Sequence, residues 1–142
     1  GPPVDEFTRF YRGLPIATQE RITLLGTVLG GEKQDLLAAT DVFALPSRID
    51  SFGIVYLEAW AYEKPVIGAR AGGVPDVIED GVDGILVEFG NPRALAEEIE
   101  TLLGDPERAH SMGRHGRAKV EKQYTWDNIH GRLKVIYRRC LA

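Results

Sequence analysis

Short apolar runs bounded by glycine, proline and polar residues alternate with amphipathic stretches as far as residue 90, and from residue 91 onward the pattern is helical throughout. Val4, Phe7 and Tyr11, with Phe10 beside them, recur at helical spacing over residues 4–12, and Gly13-Leu14-Pro15 ends that stretch. RITLLGTV, residues 21–28, is β-rich and predicts a strand; GEKQDLLAAT, residues 31–40, predicts a short helix. DVFALP, residues 41–46, is a compact apolar run stopped by Pro46, the pattern of a parallel strand buried on both faces. Residues 53–62 lack proline, are rich in Leu, Ala and Glu, and lead into PVIGA, residues 65–69, a second buried strand. Gly72-Gly73 turns the chain into a short helix over residues 74–79, DGVDG turns it again, and ILVEF, residues 85–89, predicts a further strand.

The tail opens with Asn91-Pro92, an N-cap followed by proline at the first helical position, and Leu95, Ile99, Leu102 and Leu103 form its apolar stripe. Asp105-Pro106 repeats the start signal for a helix carrying Ala109, Met112, Gly116 and Val120 on one side. Thr125 caps a last helix that aligns Ile129, Leu133, Ile136 and Cys140. There are no internal repeats and no linker, so residues 1–142 are expected to form a single domain. Strands alternating with helices predict an α/β fold, a Rossmann-like doubly wound parallel sheet, here followed by a helical C-terminal tail. Ligands of such sheets bind outside the carboxyl ends of the strands.

Composition narrows the function classes only slightly. With 44% apolar and 27% charged residues the chain has the makeup of a folded protein, and a net charge of −4 gives no reason to expect nucleic acid or an acidic membrane surface as partner. One cysteine, Cys140, excludes an intrachain disulfide and fits packing or partial exposure in a reducing, cytoplasmic compartment. No apolar run reaches the roughly 18 residues of a membrane span, and no signal-peptide pattern opens the chain. His110, His115 and His130 are scattered without metal-ligand spacing, so no metal and no cofactor are expected, and Trp60 and Trp126 read as core. Gly1-Pro2-Pro3 fits either a tag remnant or a native turn.

Candidate chemistry concentrates between residues 46 and 58. The loop 46–52 leaves the carboxyl end of the most strand-like segment and enters a helix at Gly53, where exposed N–H groups and close backbone approach suit an anion; a simple packing turn has the same sequence. Glu58 is the only formal charge in SFGIVYLEAWAY, residues 51–62, among Ile54, Val55, Leu57, Ala59 and Trp60. It lies either on a narrow solvent stripe or facing a site. In a site its acceptor-only oxygens suit adjacent hydroxyls, as on a ribose or sugar, and a phosphate at the helix start with a diol further along describes a nucleotide.

The segment DSFGIVYLEAWAYEKPVIGARAGGVPDVI resembles the signature region of the family-four (group 1) retaining glycosyltransferases of GT-B fold, whose pattern runs acidic residue, small residue, Phe-Gly, four variable residues, Glu-Ala, then Pro-Val-Ile and Gly-Gly-x-Pro-Glu. TDVFALPS, DGVDGILV, NPRALAEEI and YTW extend the resemblance over almost the whole chain from residue 21. It implies part of a C-terminal donor-binding domain. The partner would be a nucleotide diphosphate sugar, its sugar passing to an acceptor with retention. Glu58 would accept hydrogen bonds from the ribose hydroxyls and Asp50 from the donor sugar. The N–H groups of Phe52, Gly53, Ile54 and Val55 would approach sugar and diphosphate, with Ser51 in the same loop. Pro46, Ser47 and Arg48 would line the mouth of the site, and Gly72 and Gly73 its rim.

Asp50 and Asp76 stand where the family usually has glutamate. The resemblance further implies an N-terminal acceptor domain, with a glycine-rich loop and a histidine, lying upstream of Gly1, through which alone a membrane would be met. The first strands of the donor domain, with the arginine and lysine that neutralise the diphosphate, would lie there too. Arg48 and Arg70, the basic residues near the predicted site, read as surface charges. A sheet of order 3-2-1-4-5-6 without two central strands would expose edges, inviting a strand-swapped oligomer. The chain alone is then expected to bind a nucleotide weakly without turnover. The alternatives are a non-catalytic nucleotide-binding or interaction module, or another GT-B-fold enzyme such as a nucleotide-sugar epimerase.

Overall fold

The computed structural model describes residues 5–141, which fall into two compact units dividing between Leu36 and Leu37. The first unit holds α1 (Asp5–Arg12) and the single turn α2 (Ile16–Gln19). The expected helix from residue 4 is therefore seen from Asp5; Val4 and the Gly1-Pro2-Pro3 opening lie outside the described residues. Gly13 closes α1 by donating to the carbonyls of Arg9 and Phe10. Gln19 fastens the turn that follows: its Nε2 donates to the Leu14 carbonyl at 2.8 Å, and its own carbonyl accepts from Tyr11 Oη at 3.3 Å. Residues 21–28 form no strand, against expectation, and Leu24 and Leu25 are about half exposed. A strand exists only through its ladder, and among the described residues of this unit there is no strand for it to pair with. The helix predicted over 31–40 is present as α3 (Gly31–Ala39), whose last three residues belong to the second unit.

The second unit is built on three parallel strands in the order β1 (Phe43–Leu45), β2 (Val66–Ala69), β3 (Gly84–Val87). Between β1 and β2 lies α4 (Ile54–Ala61), giving the expected βαβ unit. Every residue of β2 and β3 is buried, as strands covered on both faces require. Successive side chains serve opposite layers. Val66 and Leu86 join Leu37, Tyr56, Ala59, Trp60, Val74, Val77 and Ile78 in one cluster. Ile67, Ile85 and Val87 join Leu102, Ala109 and Met112 in the other. The second layer comes from α5 (Pro92–Gly104) and α6 (Pro106–Lys119), whose caps Asn91 and Asp105 accept from the N–H groups of Ala94 and Arg108 at 3.0 Å each.

Several boundaries differ from the sequence pattern. β1 is not buried on both faces: Phe43 and Leu45 pack on the first cluster while Ala44 is exposed, because β1 is the edge of the three-stranded sheet and α5 and α6 cover only β2 and β3 on that side. The helix expected over 74–79 is a single 3₁₀ turn, Val74–Asp76, and β3 stops at Val87. Leu103 is 54% exposed, one position off the stripe that buries Leu102. After α6 the backbone widens into one π-helical turn, Val120–Tyr124, before α7 (Trp126–Cys140), capped by Thr125 as expected. Trp126 is 86% exposed and so is not core, since the first position of α7 points away from the cluster that takes in Trp60. The α7 residues Leu133, Ile136 and Cys140 are likewise exposed. No helix among the described residues is long and apolar enough to cross a membrane.

α6 lies close to α4 because it presents glycine at two successive turns. A Cβ on Gly113 would overlap the Glu63 carbonyl, and one on Gly116 would overlap the Trp60 indole. The indole Nε1 donates to the Asp83 carbonyl at 2.8 Å. Lys119 then crosses from the end of α6 to form an ion pair with the buried Asp83 carboxylate, donates to the Val77 carbonyl at 2.9 Å, and lies 5.3 Å from the indole centre. Gly113→Ala and Gly116→Ala should each cost about 2–3 kcal/mol in urea unfolding through overpacking. Gly104→Ala, where a Cβ meets nothing, should be neutral or stabilising by up to about 1 kcal/mol.

Candidate functional site

The loop from Pro46 to Gly53 leaves the carboxyl end of β1 and is fixed at both ends by one side chain. Tyr56, in the first turn of α4, is fully buried; its hydroxyl donates to the Leu45 carbonyl at 2.6 Å and its ring meets Phe43 edge to face at 6.0 Å. The space it occupies exists because two glycines lack a Cβ. One on Gly53 would overlap the Tyr56 ring, and one on Gly68 would press on Val74, Ile78 and the Tyr56 hydroxyl. Gly53 also adopts φ +72°, a left-handed turn that brings the loop backbone onto the start of α4. Burial, with the Asp50 carboxylate adding to it, pushes the Tyr56 phenol up to about 12.

The Gly72-Gly73 turn braces the same loop from the next strand. Gly73 N–H donates to the Asp50 carbonyl at 2.9 Å, a Cβ on Gly72 would sit 2.7 Å from that oxygen, and one on Gly73 would overlap the Ser51 carbonyl. These two residues therefore shape the loop by backbone contact. Phe52 is held from the tail, its ring edge-on to Tyr124 at 5.6 Å.

Residues 49–55 line an open cavity of about 470 Å³, which brings together Asp50, Ser51, Phe52, Gly53, Ile54 and Val55. Asp50 Oδ1 accepts from the N–H groups of Phe52 at 3.0 Å and Gly53 at 2.5 Å. The next two N–H groups, of Ile54 and Val55, begin α4 and have no backbone acceptor among the described residues. Glu58 does not line this cavity; it is half-buried on the outward face of α4, one turn beyond the exposed Ile54 and opposite Tyr56 and Trp60. Ser47 turns back to donate its N–H to Leu45 at 2.8 Å, and Arg48 is exposed. Pro46 faces a separate cleft of about 180 Å³ with Phe89 and Leu95. Arg70 is engaged by Asp80 at 2.6 Å and Glu88 at 3.3 Å. No group of three or more His, Cys, Asp or Glu side chains among the described residues is placed to hold a metal ion. A further cavity, of about 240 Å³, lies at the opposite, amino ends of β1 and β2, beside Val42 and Pro65.

Sequence reasoning missed Tyr56 and Tyr124. Gly68, a glycine inside a strand pattern, was the available signal for Tyr56, because it marks close approach by another group. Nothing in the local sequence pairs Phe52 with Tyr124.

The profile of the family Glycosyl transferases group 1 matches residues 16–119. N-acetyl-alpha-D-glucosaminyl L-malate synthase of Bacillus anthracis is 36% identical over 141 residues, 96% of this chain and 35% of that protein. Among solved structures, HepE of Anabaena in complex with UDP-glucose aligns with TM-score 0.78 at 27% identity, covering 87% of this chain and 34% of that one. Sucrose-phosphate synthase of Thermosynechococcus elongatus aligns with TM-score 0.83 at 28% identity, covering 96% and 34%. The chain spans about a third of the length of the curated relatives it matches.

The Tyr56 hydroxyl offers a direct check on how the loop is held. Tyr56→Phe should cost about 1 kcal/mol at neutral pH. Because the folded phenol titrates above its unfolded value, the stability it adds is complete below pH 10 and lost as pH rises to about 12. Denaturant titrations should therefore show wild type losing its advantage over Tyr56→Phe between pH 10 and about 12 and then falling below it, because the linkage, about 1.4 kcal/mol per pH unit, exceeds what the bond contributes.

Proposed function

The chain belongs to the group 1 glycosyl transferases, and from that membership we propose that its segment 46–58 forms part of the donor site of a transferase acting on a nucleoside diphosphate sugar, with retention at the transferred carbon. The observation that carries this reading is the left-handed Gly53, which lays the loop backbone against the start of α4 and leaves the Ile54 and Val55 N–H groups open at the carboxyl end of the sheet. Two convergent N–H groups on a helix start suit a diphosphate, and Glu58 one turn further along the same face suits the ribose hydroxyls. The donor class is supported by HepE, which is described in complexes with UDP and UDP-glucose.

Transfer of this kind depends on positioning the two substrates and stabilising the departing diphosphate. Arg70 is already paired with Asp80 and Glu88, so the positive charge for the diphosphate would come from elsewhere in a longer protein, together with the acceptor site. Residues 1–142 alone are accordingly proposed to bind the donor weakly and to turn nothing over. Titration calorimetry or NMR with UDP and 2′-deoxy-UDP tests the ribose assignment. Glu58→Ala should weaken UDP binding about tenfold and erase the preference of wild type for UDP over its deoxy analogue. Equal UDP affinity in wild type and variant would overturn the assignment.

A further inference from the structure

The cavity of about 240 Å³ at the amino ends of β1 and β2 is built from three places in the chain: residues 40–42 leading into β1, Lys64 and Pro65 before β2, and the joint between α5 and α6. Its floor is apolar, with Pro65, Leu102 and Ala109 buried. Its mouth is charged: Asp41 and His110 are exposed there and Lys64 is half-buried. Lys64 is set in place by the way α4 ends. Glu63 takes a left-handed conformation at φ +55°, where glycine is usual, and the N–H groups of Glu63 and Lys64 return to the carbonyls of Trp60 at 2.8 Å and Ala59 at 3.1 Å. The carboxylates nearest in sequence are engaged elsewhere. Glu63 pairs with Arg117 at 3.2 Å, and Asp105 caps α6 by accepting from the Arg108 N–H at 3.0 Å.

Asp41 and Lys64 thus bring opposite charges to one small cavity, and neither side chain has a hydrogen bond or ion pair among the described residues, with the other or with a third group. A guest with a single charge is attracted by one of them and repelled by the other, whereas a guest carrying both charges satisfies both. We propose that this cavity binds a small zwitterion with an apolar body, an α-amino acid of about the size of leucine. Its carboxylate faces Lys64, with His110 as a second donor, its ammonium faces Asp41, and its side chain lies on Pro65, Leu102 and Ala109. The volume agrees with a guest of this size, since pockets that enclose drug-sized ligands run from roughly 300 to 1,000 Å³. Charges at an open mouth contribute modestly, so the affinity is weak, on the order of 1 mM. The site stands at the other end of β1 and β2 from the loop 46–53 and is independent of what that loop binds.

Titration of the full chain with L-leucine, followed by ¹⁵N-resolved NMR, tests the proposal. The amide signals of Val42, Lys64, Leu103 and His110 should move together with one dissociation constant. Isocaproic acid, which is leucine without its ammonium, and isopentylamine, which is leucine without its carboxylate, should each bind wild type about fivefold more weakly. Asp41→Asn should weaken leucine about fivefold without weakening isocaproate, and Lys64→Met should weaken leucine about fivefold without weakening isopentylamine. Absence of any shift at these four residues with leucine at about twenty times the expected constant would overturn the proposal. Either single-charge analogue binding as tightly as leucine would overturn it too, because one of the two charges would then be idle. Leucine affinity unchanged in either variant would have the same force.

Discussion

The bond from the Tyr56 hydroxyl to the Leu45 carbonyl is the constraint on which the candidate site rests. It joins the last residue of β1 to the first turn of α4, so everything between them is a closed loop whose ends cannot separate without exposing a buried phenol and a strand-end carbonyl. Breaking the bond while the phenol stays buried leaves that hydroxyl unpaired at about 1–3 kcal/mol, whereas the Leu45 carbonyl keeps the Ser47 N–H. The loop is thereby kept near one geometry, with Gly53 and Gly68 providing the volume and Gly73 the outer brace.

The tail contributes to the same object from a distance. Lys119 at the end of α6 ties Asp83 and Val77 to the Trp60 side of α4, and Tyr124 stands against Phe52 within the loop. A buried ion pair such as Lys119 with Asp83 adds little net stability when compared with an apolar replacement, but removing one partner strands the other. It joins the end of α6 to the turn before β3, where the Asp83 carbonyl also accepts from Trp60 of α4, while Gly113 and Gly116 let α4 and α6 approach closely. The π-helical turn over Val120–Tyr124 redirects the chain between Lys119 and Tyr124, the two anchoring residues at its ends.

Much of this was legible along the chain, for identifiable reasons. The uniformly apolar runs at 65–69 and 85–87 announced strands covered on both faces, and Asn91-Pro92, Asp105-Pro106 and Thr125 marked helix starts correctly because capping is a local interaction. Residues 21–28 misled because β-propensity describes a surface that fits a neighbour, and the neighbour is not encoded locally. Trp126 misled for a related reason: size and hydrophobicity favour burial, but the helix face that receives it is set by packing. In the candidate site, residue types and spacing pointed to the loop before Gly53 and left Glu58 between a solvent stripe and a site, and the other residues of the run 50–55 entered only with the family resemblance. The fold-back of Asp50 onto the Phe52 and Gly53 N–H groups is a local turn of a kind aspartate commonly forms, and the sequence reading passed over it.

The contact between Phe52 and Tyr124 also orders events in time. During synthesis the loop leaves the ribosome well before the residues that brace it, and contacts spanning so much sequence are late to form because the intervening chain must first be ordered. β1, α4 and β2 can associate early, yet Phe52 has no ring to rest on until Tyr124 emerges. A nascent chain stalled shortly before Tyr124 would have the Tyr56 and Gly73 braces of the loop without its contact to the tail.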